Sequence, residues 1–346
     1  MRGKTGRRLP FLGAALALVL LGTAPASAAE TEPVSPRAET LIPVGRAVGV
    51  KLFSDGVMVV GFSRIPQEAG AVVPARACGL KEGDIITHIN AAEVDTIEEV
   101  QAQLEQIGGE EMSIRAIRRG EPVEVTAQAV RCSTDGSYKL GAWLRDSMAG
   151  IGTVTWYDPD SGAFGALGHG INDVDTAQLM PLEHGGVLGA TVADVKRGEK
   201  GAPGELHGSF QQDRELGTLR ANTARGIFGR LTDGSMAKGL RALPVADRSQ
   251  LQVGPAVIRS NIAGDEVGEY QVEITRLLTG GEEGRDMMLR VTDPDLLAAT
   301  GGIVQGMSGS PIIQNGSLVG AVTHVLVNDP TRGYGIFIEN MLAAGA

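Results

Sequence analysis

The sequence predicts a mainly β protein with two folded domains, a small α+β domain followed by a larger β domain of barrel or sandwich type. Three observations carry this. At 346 residues the chain is too long for one small domain. Glycine supplies 49 of those residues, about twice its average share, which favours short strands and tight turns over long helices. One stretch in the first half, residues 96–109, has helical apolar spacing with stop and start signals at both ends, while the second half is a succession of short strand-like runs.

The first 28 residues form a separate object. Arg2, Lys4, Arg7 and Arg8 precede an apolar run from Phe11 to Leu21, and small residues Ala26 and Ala28 end it. A basic start, a short apolar segment and an A-x-A site predict an export signal. The run falls short of the roughly 20 residues that span a bilayer, so cleavage near Ala28 is expected, and transient membrane association before cleavage is compatible with it. Residues 29–40, polar and containing two prolines, predict a flexible leader. The formal charge is −10, and losing four positive charges with the signal gives −10 − 4 = −14. With no basic cluster elsewhere, the composition argues against nucleic acid as a partner.

From residue 41 two apolar runs flank Ser54-Asp55-Gly56, a turn signal. IITHI follows as a strand. Thr96 then caps a helix, with Glu99 as its capping-box partner, Val100, Leu104 and Ile107 on one face, and Gly108-Gly109 as the stop. MSIRAIRR and VEVTAQAV alternate as two strands. GVMVV, the run Gly79-Leu80-Lys81-Glu82-Gly83-Asp84-Ile85-Ile86 and Asn90 together resemble a PDZ domain of the bacterial type, over residues 41–131. That resemblance implies peptide binding by strand addition, with Val48-Gly49-Val50-Lys51-Leu52 as the loop receiving a terminal carboxylate. Cys78 and Cys132 are expected as free thiols rather than a disulfide. Residues 132–346 hold many short apolar runs, such as GIGTVTWYD, GALGHGI and GAVTHVLV, separated by turns. No metal or nucleotide motif occurs, so no cofactor is expected.

The chemistry concentrates in GGIVQGMSGSPIIQNG, residues 301–316. A serine hydroxyl needs a base to take its proton and amides to hold the developing oxyanion. In the G-x-S-G-x-P arrangement the serine between glycines is the nucleophile, which selects Ser308 over Ser310, with the N–H groups of Gly306 and Ser308 as oxyanion donors. Of the five histidines, His169 ends an apolar strand between two glycines and is the best base. His88, His184 and His207 read as surface or loop residues, and His324, just after the serine segment, as a pocket residue. A third residue should orient the imidazole. Asp293 fits the order His–Asp–Ser but lies only 308 − 293 = 15 residues before the serine, and Asp173 competes with it evenly.

The motifs GVKL, LRDSMAGIGTVTWYDP, GALGHGI, VTD at 291–293, GGIVQGMSGSPIIQNG and GAVTHVLVNDPTRGYGIFIENML together resemble the stage IV sporulation protein B (SpoIVB) family of serine peptidases. The resemblance implies a chymotrypsin-like double β-barrel after the PDZ domain, catalytic His169 and Ser308, and Asp293 as the acid. It also implies export to the space between forespore and mother cell, self-cleavage near the N-terminus, and cleavage of stage IV sporulation protein FA, which leads to processing of a sigma-factor precursor. Two other readings are weighed beside it: a PDZ scaffold with a dead peptidase domain, and an HtrA-like quality-control protease. The latter group carries its PDZ domain after the protease rather than before it.

Overall fold

The computed structural model describes residues 40–68, 70–232, 234–278 and 284–346. The expected export signal and almost all of the expected leader lie outside them. In chain order, the strands and helix that build the first half are β1 (Thr40–Pro43), β2 (Ala47–Phe62), β3 (Ile85–Ile89), α1 (Ile97–Ile107), β4 (Glu111–Arg118) and β5 (Glu121–Gln128). Then come β6 (Ala142–Tyr157), β7 (Ala163–Ala166), β8 (His184–Lys196), β9 (Glu205–Thr223) and β10 (Gly226–Leu231). The last third holds β11 (Gly254–Ala263), β12 (Glu266–Leu277), β13 (Met287–Val291), α2 (Pro294–Thr300), β14 (Pro311–Gln314), β15 (Ser317–Val325), β16 (Arg332–Phe337) and α3 (Ile338–Ala344).

Two barrels result. β2, β8, β9, β10, β7 and β6 pair in a ring, because β6 also pairs back to β2. β11, β12, β13, β16, β15 and β14 close a second barrel. Closure leaves no free edge within the two rings, while β6 runs on past the first ring at residues 142–148. The second barrel is filled by buried Ile258, Ile274, Leu289, Met307, Ile312 and Val322. The first is filled by residues such as Val48, Val154, Phe164 and Ile227. This is the mainly β, chymotrypsin-like double barrel that the sequence predicts, with a PDZ-like unit attached.

The small unit is built as expected around α1. Thr96 accepts the Glu99 amide at 3.2 Å while the Glu99 carboxylate accepts the Thr96 amide at 3.1 Å, a complete capping box. Val100 and Leu104 bury one face of the helix against Ile86, Ile89 and Ile114. Asp84 is fully buried and holds Arg118 through both carboxylate oxygens at 2.7 Å, tying the Gly83-Asp84 turn to β4. Cys78 and Cys132 are separate thiols.

Strands cross the domain boundary expected at residue 131. β2 has 16 residues, enough to serve both units, with a bulge at residues 54–57 between its two halves. Its first half pairs with β8 in the barrel and its second half, Val57 and Met58, pairs with β3 of the small unit. β6 runs antiparallel beside both halves, from Ala142 opposite Phe62 to Arg145 opposite Met58, and from Ser147 opposite Phe53 to Thr153 opposite Ala47. Residues 40–53 therefore sit among peptidase strands, and residues 142–145 beside the small unit's strand. The loop expected at Val48–Leu52 is corrected by the same pairing. Val50 faces Gly150 on one side and Val187 on the other, so both edges are occupied and no backbone is left to receive a carboxylate.

Candidate active site

The serine loop is held by backbone contacts. Ser308 sits between Gly306, at φ 95°, and Gly309, at φ 97°, conformations that suit glycine alone. A Cβ on Gly309 would collide with the carbonyl of Thr153. Thr153 is fully buried and works as a three-way tie: its hydroxyl donates to Gly306 O at 2.8 Å, its amide to Ser308 O at 3.1 Å, and its own carbonyl accepts the Leu167 amide at 3.2 Å. Gly309 N donates to Val322 O at 2.7 Å and Ser310 N to Met307 O at 3.0 Å. Within this run, the N–H groups of Gly306 and Ser308 have no acceptor among the described residues. These are the two amides expected to hold an oxyanion.

The two serines part company in space. Ser310 is fully buried and donates to Ser260 Oγ at 3.1 Å, inside the second barrel. Ser308 lines an open cavity of about 460 Å³. Its hydroxyl donates to the carbonyl of Thr323 at 2.8 Å.

His169 and His324 line the same cavity, their ring centres 5.2 Å apart. The chain reaches His169 through Leu167, held at φ 69° and buried. A left-handed leucine costs on the order of 1–2 kcal/mol. The bond from its amide to Thr153 O maintains it, and so links the histidine segment to the serine loop. His169 Nδ1 lies 2.8 Å from the carbonyl of Gly170. A carbonyl can only accept, so Nδ1 carries the proton and Nε2 keeps its lone pair. That is the tautomer of a general base. Burial pushes the imidazole below its ordinary value, and the Gly170 bond opposes that in part. Burial likewise lowers His324, with the neighbouring His169 and Arg285 charges adding to it, to about 4. His324 Nδ1 is buried without a partner among the described residues.

Asp293 is not where the expected acid should be. Its Oδ1 accepts the amides of Asp295 and Leu296, both at 3.0 Å, and its Oδ2 accepts the amide of Gln271 at 3.1 Å. It is the N-cap of α2 and is absent from the cavity that holds Ser308 and His169. The physical reason is local: Asp followed by Pro at the first helical position is a strong cap signal. Asp173, its rival, bonds to Arg145 and to the Thr176 amide at 2.8 Å instead of to His169. Gly170 O is the group that orients the imidazole.

Sequence reasoning missed several residues that build this site. Thr153 and Asn222 are the main ones. The Asn222 side chain accepts the Ile171 amide and donates to the carbonyls of Ile171 and Met180, all at 2.9 Å, closing the base of the loop that follows His169. A buried threonine or asparagine in a strand gives no pattern to read. Most of the remaining cavity wall is apolar, with Val50, Leu167, Ile171, Ile303, Val304 and Val325, beside the polar Asn172 and Gln305.

Paired barrels, a glycine-framed serine with two unengaged amides, and an imidazole with a free Nε2 on the same cavity are the parts of a serine peptidase site. Residues 136–342 match the model of the SpoIVB peptidase S55 family, and the chain belongs to that family. Among solved structures it is similar to the Rv3671c protease of M. tuberculosis in its active form, at 14% identity and a TM-score of 0.34, covering 58% of this chain and 73% of that one. It is similar to the thermostable serine protease AL20 from an extremophilic microorganism, at 12% identity and a TM-score of 0.33, covering 58% and 91%. The PDZ domain of the SdrC-like protein from Listeria monocytogenes matches at 21% identity and a TM-score of 0.22, covering 26% and 87%. The zinc metalloprotease RasP of Shouchella clausii (strain KSM-K16) is 43% identical over 54 residues, 16% of this chain. This chain spans 13% of that relative's length.

Proposed function

We infer that the chain hydrolyses peptide bonds with a Ser308–His169 pair oriented by the Gly170 carbonyl. The observation that carries this is the Nδ1–Gly170 bond, which leaves Nε2 unprotonated on the cavity that exposes Ser308. In the first step Ser308 Oγ turns from Thr323 O towards His169, gives its proton to Nε2 and attacks the scissile carbonyl carbon. The carbonyl π electrons move onto oxygen, which the Gly306 and Ser308 amides hold. His169 then passes its proton to the leaving amine. A water, deprotonated by the same nitrogen, then attacks the acyl carbon; the bond to Ser308 Oγ breaks and that oxygen takes the proton back from His169. A neutral carbonyl partner stabilises the imidazolium less than a carboxylate does, so this is a dyad with slower chemistry than a full triad. Labelling by a fluorophosphonate in wild type, absent in Ser308→Ala and present in Ser310→Ala, is the expected result. No labelling of wild type would favour a catalytically dead scaffold.

The finer reading follows the family. The enzyme is exported, acts between forespore and mother cell, cleaves itself near its N-terminus, and cleaves a membrane regulator of the stage IV sporulation protein FA type during sporulation. β1 pairs on both sides, with Trp156 and Tyr157 and with Leu243 and Pro244, which directs self-cleavage to positions before residue 40. N-terminal sequencing of active and Ser308→Ala protein tests this, and identical termini would count against it. For peptide binding by strand addition, the available edge is the outer side of residues 142–148, which no strand covers among the described residues. Trp143, 63% exposed, marks it. Capture from a C-terminal peptide library should survive Lys51→Ala and weaken in Trp143→Ala; the reverse pattern returns the site to residues 48–52.

A further inference from the structure

The segment after His169 leaves the catalytic cleft and docks on the small unit. Asn222 pins its base at Ile171 and Met180. Its tip is gripped from the other side. Arg145, opposite Met58 on the part of β2 that joins the small unit's sheet, sends its guanidinium to two carboxylates of the loop, Asp173 and, at 2.8 Å, Asp175. The Asp173 carboxylate is fully buried and also accepts the amides of Asp175 and Thr176 and the Thr176 hydroxyl, at 3.1, 2.8 and 2.9 Å. Gln178 lies so close over Gly83 that a Cβ there would collide with it. Gly83 belongs to the small unit's own turn, at φ 86°. Met180 packs with Met58 and Leu52, and Ile171 and Met148 lean on the same cluster.

These contacts converge on the segment that begins at Gly170, and Gly170 O is the only group holding the His169 tautomer among the described residues. A carbonyl orients an imidazole only as firmly as its own backbone is fixed. Asn222, on barrel strand β9, holds the Ile171 amide of the same peptide unit, and the small unit holds the rest of the loop from outside the barrels.

We propose that Arg145 is a positioning residue for the catalytic base, and that the small unit acts as a splint on the His169 loop, in addition to any peptide it binds. The ion pair forks to two carboxylates, which suits a guanidinium and not an ammonium. Breaking it leaves Asp173 buried with its charge uncompensated, and the loop must rearrange to reach water. The Gly170 carbonyl, then held only through Asn222 at the Ile171 amide, loses part of its fixing, and misplacement of about an ångström costs on the order of 100-fold in rate.

This rests on the serine peptidase reading, and the test separates the two. The probe is a fluorophosphonate, whose saturation kinetics at Ser308 give a maximal acylation rate and a half-saturating concentration. If wild type is not acylated, the peptidase reading fails; the splint is judged on a wild type that is. Arg145→Ala should lower the maximal rate ~10- to 100-fold with the half-saturating concentration held within about twofold, and hydrogen exchange over residues 170–178 should rise. Arg145→Lys should recover part of the rate. Glu273→Gln, which removes a half-buried partner of Arg290 in the second barrel, remote from the cleft, serves as the control and should leave the rate unchanged. Should Arg145→Ala fail to fold, Asp175→Asn decides, since its carboxylate is half exposed and its loss cannot unfold the chain. There a fall of about two- to fivefold is expected. Wild-type rates in Arg145→Ala, or in Asp175→Asn where Arg145→Ala does not fold, would overturn the proposal.

Discussion

The serine loop and the histidine loop meet at one cavity but are held by different means. Ser308 is fixed by main-chain contacts inside the barrels: Thr153 to Gly306 and Ser308, Gly309 to Val322, Ser310 to Met307. His169 owes its orientation to a single carbonyl on a segment that side chains fix, namely Asn222, Arg145 and Gln178. The nucleophile is therefore built into the fold, and the base depends in part on how the small unit sits. Regulation by a bound peptide would act most easily on the second.

The largest effects should fall on the serine loop. Ser308→Ala should reduce peptide hydrolysis by roughly 10³- to 10⁶-fold while leaving the melting temperature near wild type, because only one side-chain bond, to Thr323 O, is lost. Ser310→Ala should keep activity within a few-fold and lower stability instead, by about 1 kcal/mol, through its lost bond to Ser260. Activity lost with Ser310 and kept without Ser308 would reverse the assignment of the two serines. Gly309→Ala comes next. Its positive φ and the approach of Thr153 O leave no room for a methyl. A loss of ~100-fold in rate, with roughly 1–3 kcal/mol of stability, is expected, since the oxyanion amide moves with it. An active Gly309→Ala enzyme would show that the serine loop is softer than its hydrogen bonds imply.

The same difference explains what could be read from the chain. G-x-S-G-x-P is a conformational requirement written in consecutive residues: glycine at both positive-φ positions, proline to begin β14. His169 between glycines at a strand end was legible for the same reason, as was the α1 capping box. What escaped is held by residues remote in sequence. Thr153 is 155 residues before Ser308, by 308 − 153, and Arg145 acts across the unit boundary. The expected carboxylate loop at 48–52 fails because β6, supplied from beyond the small unit, covers that strand. Nothing near residue 50 announces a partner arriving from residue 150. The Asp293 assignment shows the opposite fault: an Asp-Pro pair reads equally well as a catalytic acid or as a helix cap, and only the bonds to Gln271, Asp295 and Leu296 distinguish them.

Acid should weaken the histidine side selectively. His324 takes its proton near pH 6.5 when unfolded and only about 4 when folded, because partial burial and the neighbouring His169 and Arg285 charges disfavour the imidazolium. Between those values the unfolded chain binds more protons, so stability rises with pH and is lost as pH falls through the window. Solvent screening at this partly exposed ring limits the contribution to about 1–2 kcal/mol between pH 7 and 4. His169 is lowered in the same direction, which also keeps it in its basic form, and the enzyme active, somewhat below the usual histidine midpoint. Urea melts at pH 7 and pH 4.5 check this. His324→Phe should flatten the difference without stranding a hydrogen bond, because Nδ1 has no partner among the described residues to lose. An equally steep acid dependence in His324→Phe would place the sensitive group elsewhere.

The smallest effect separates two accounts of Asp293. As the acid of a triad, its replacement should cost about 10⁴-fold in rate by leaving the imidazole in the wrong tautomer. As the N-cap of α2, its replacement by alanine should cost about 1 kcal/mol of stability and leave the rate near wild type. Its carboxylate already accepts three amides, and its lowered pKa follows from those bonds, with burial opposing them. A carboxylate so engaged can turn to His169 only by uncapping the helix. Asp293→Ser distinguishes the cases cleanly, since serine caps a helix nearly as well as aspartate but cannot stabilise an imidazolium. Wild-type stability with wild-type turnover would assign the residue to the helix and leave orientation of the base to Gly170. A collapse in turnover at unchanged stability would mean that α2 opens during catalysis and that the dyad becomes a triad only with substrate bound.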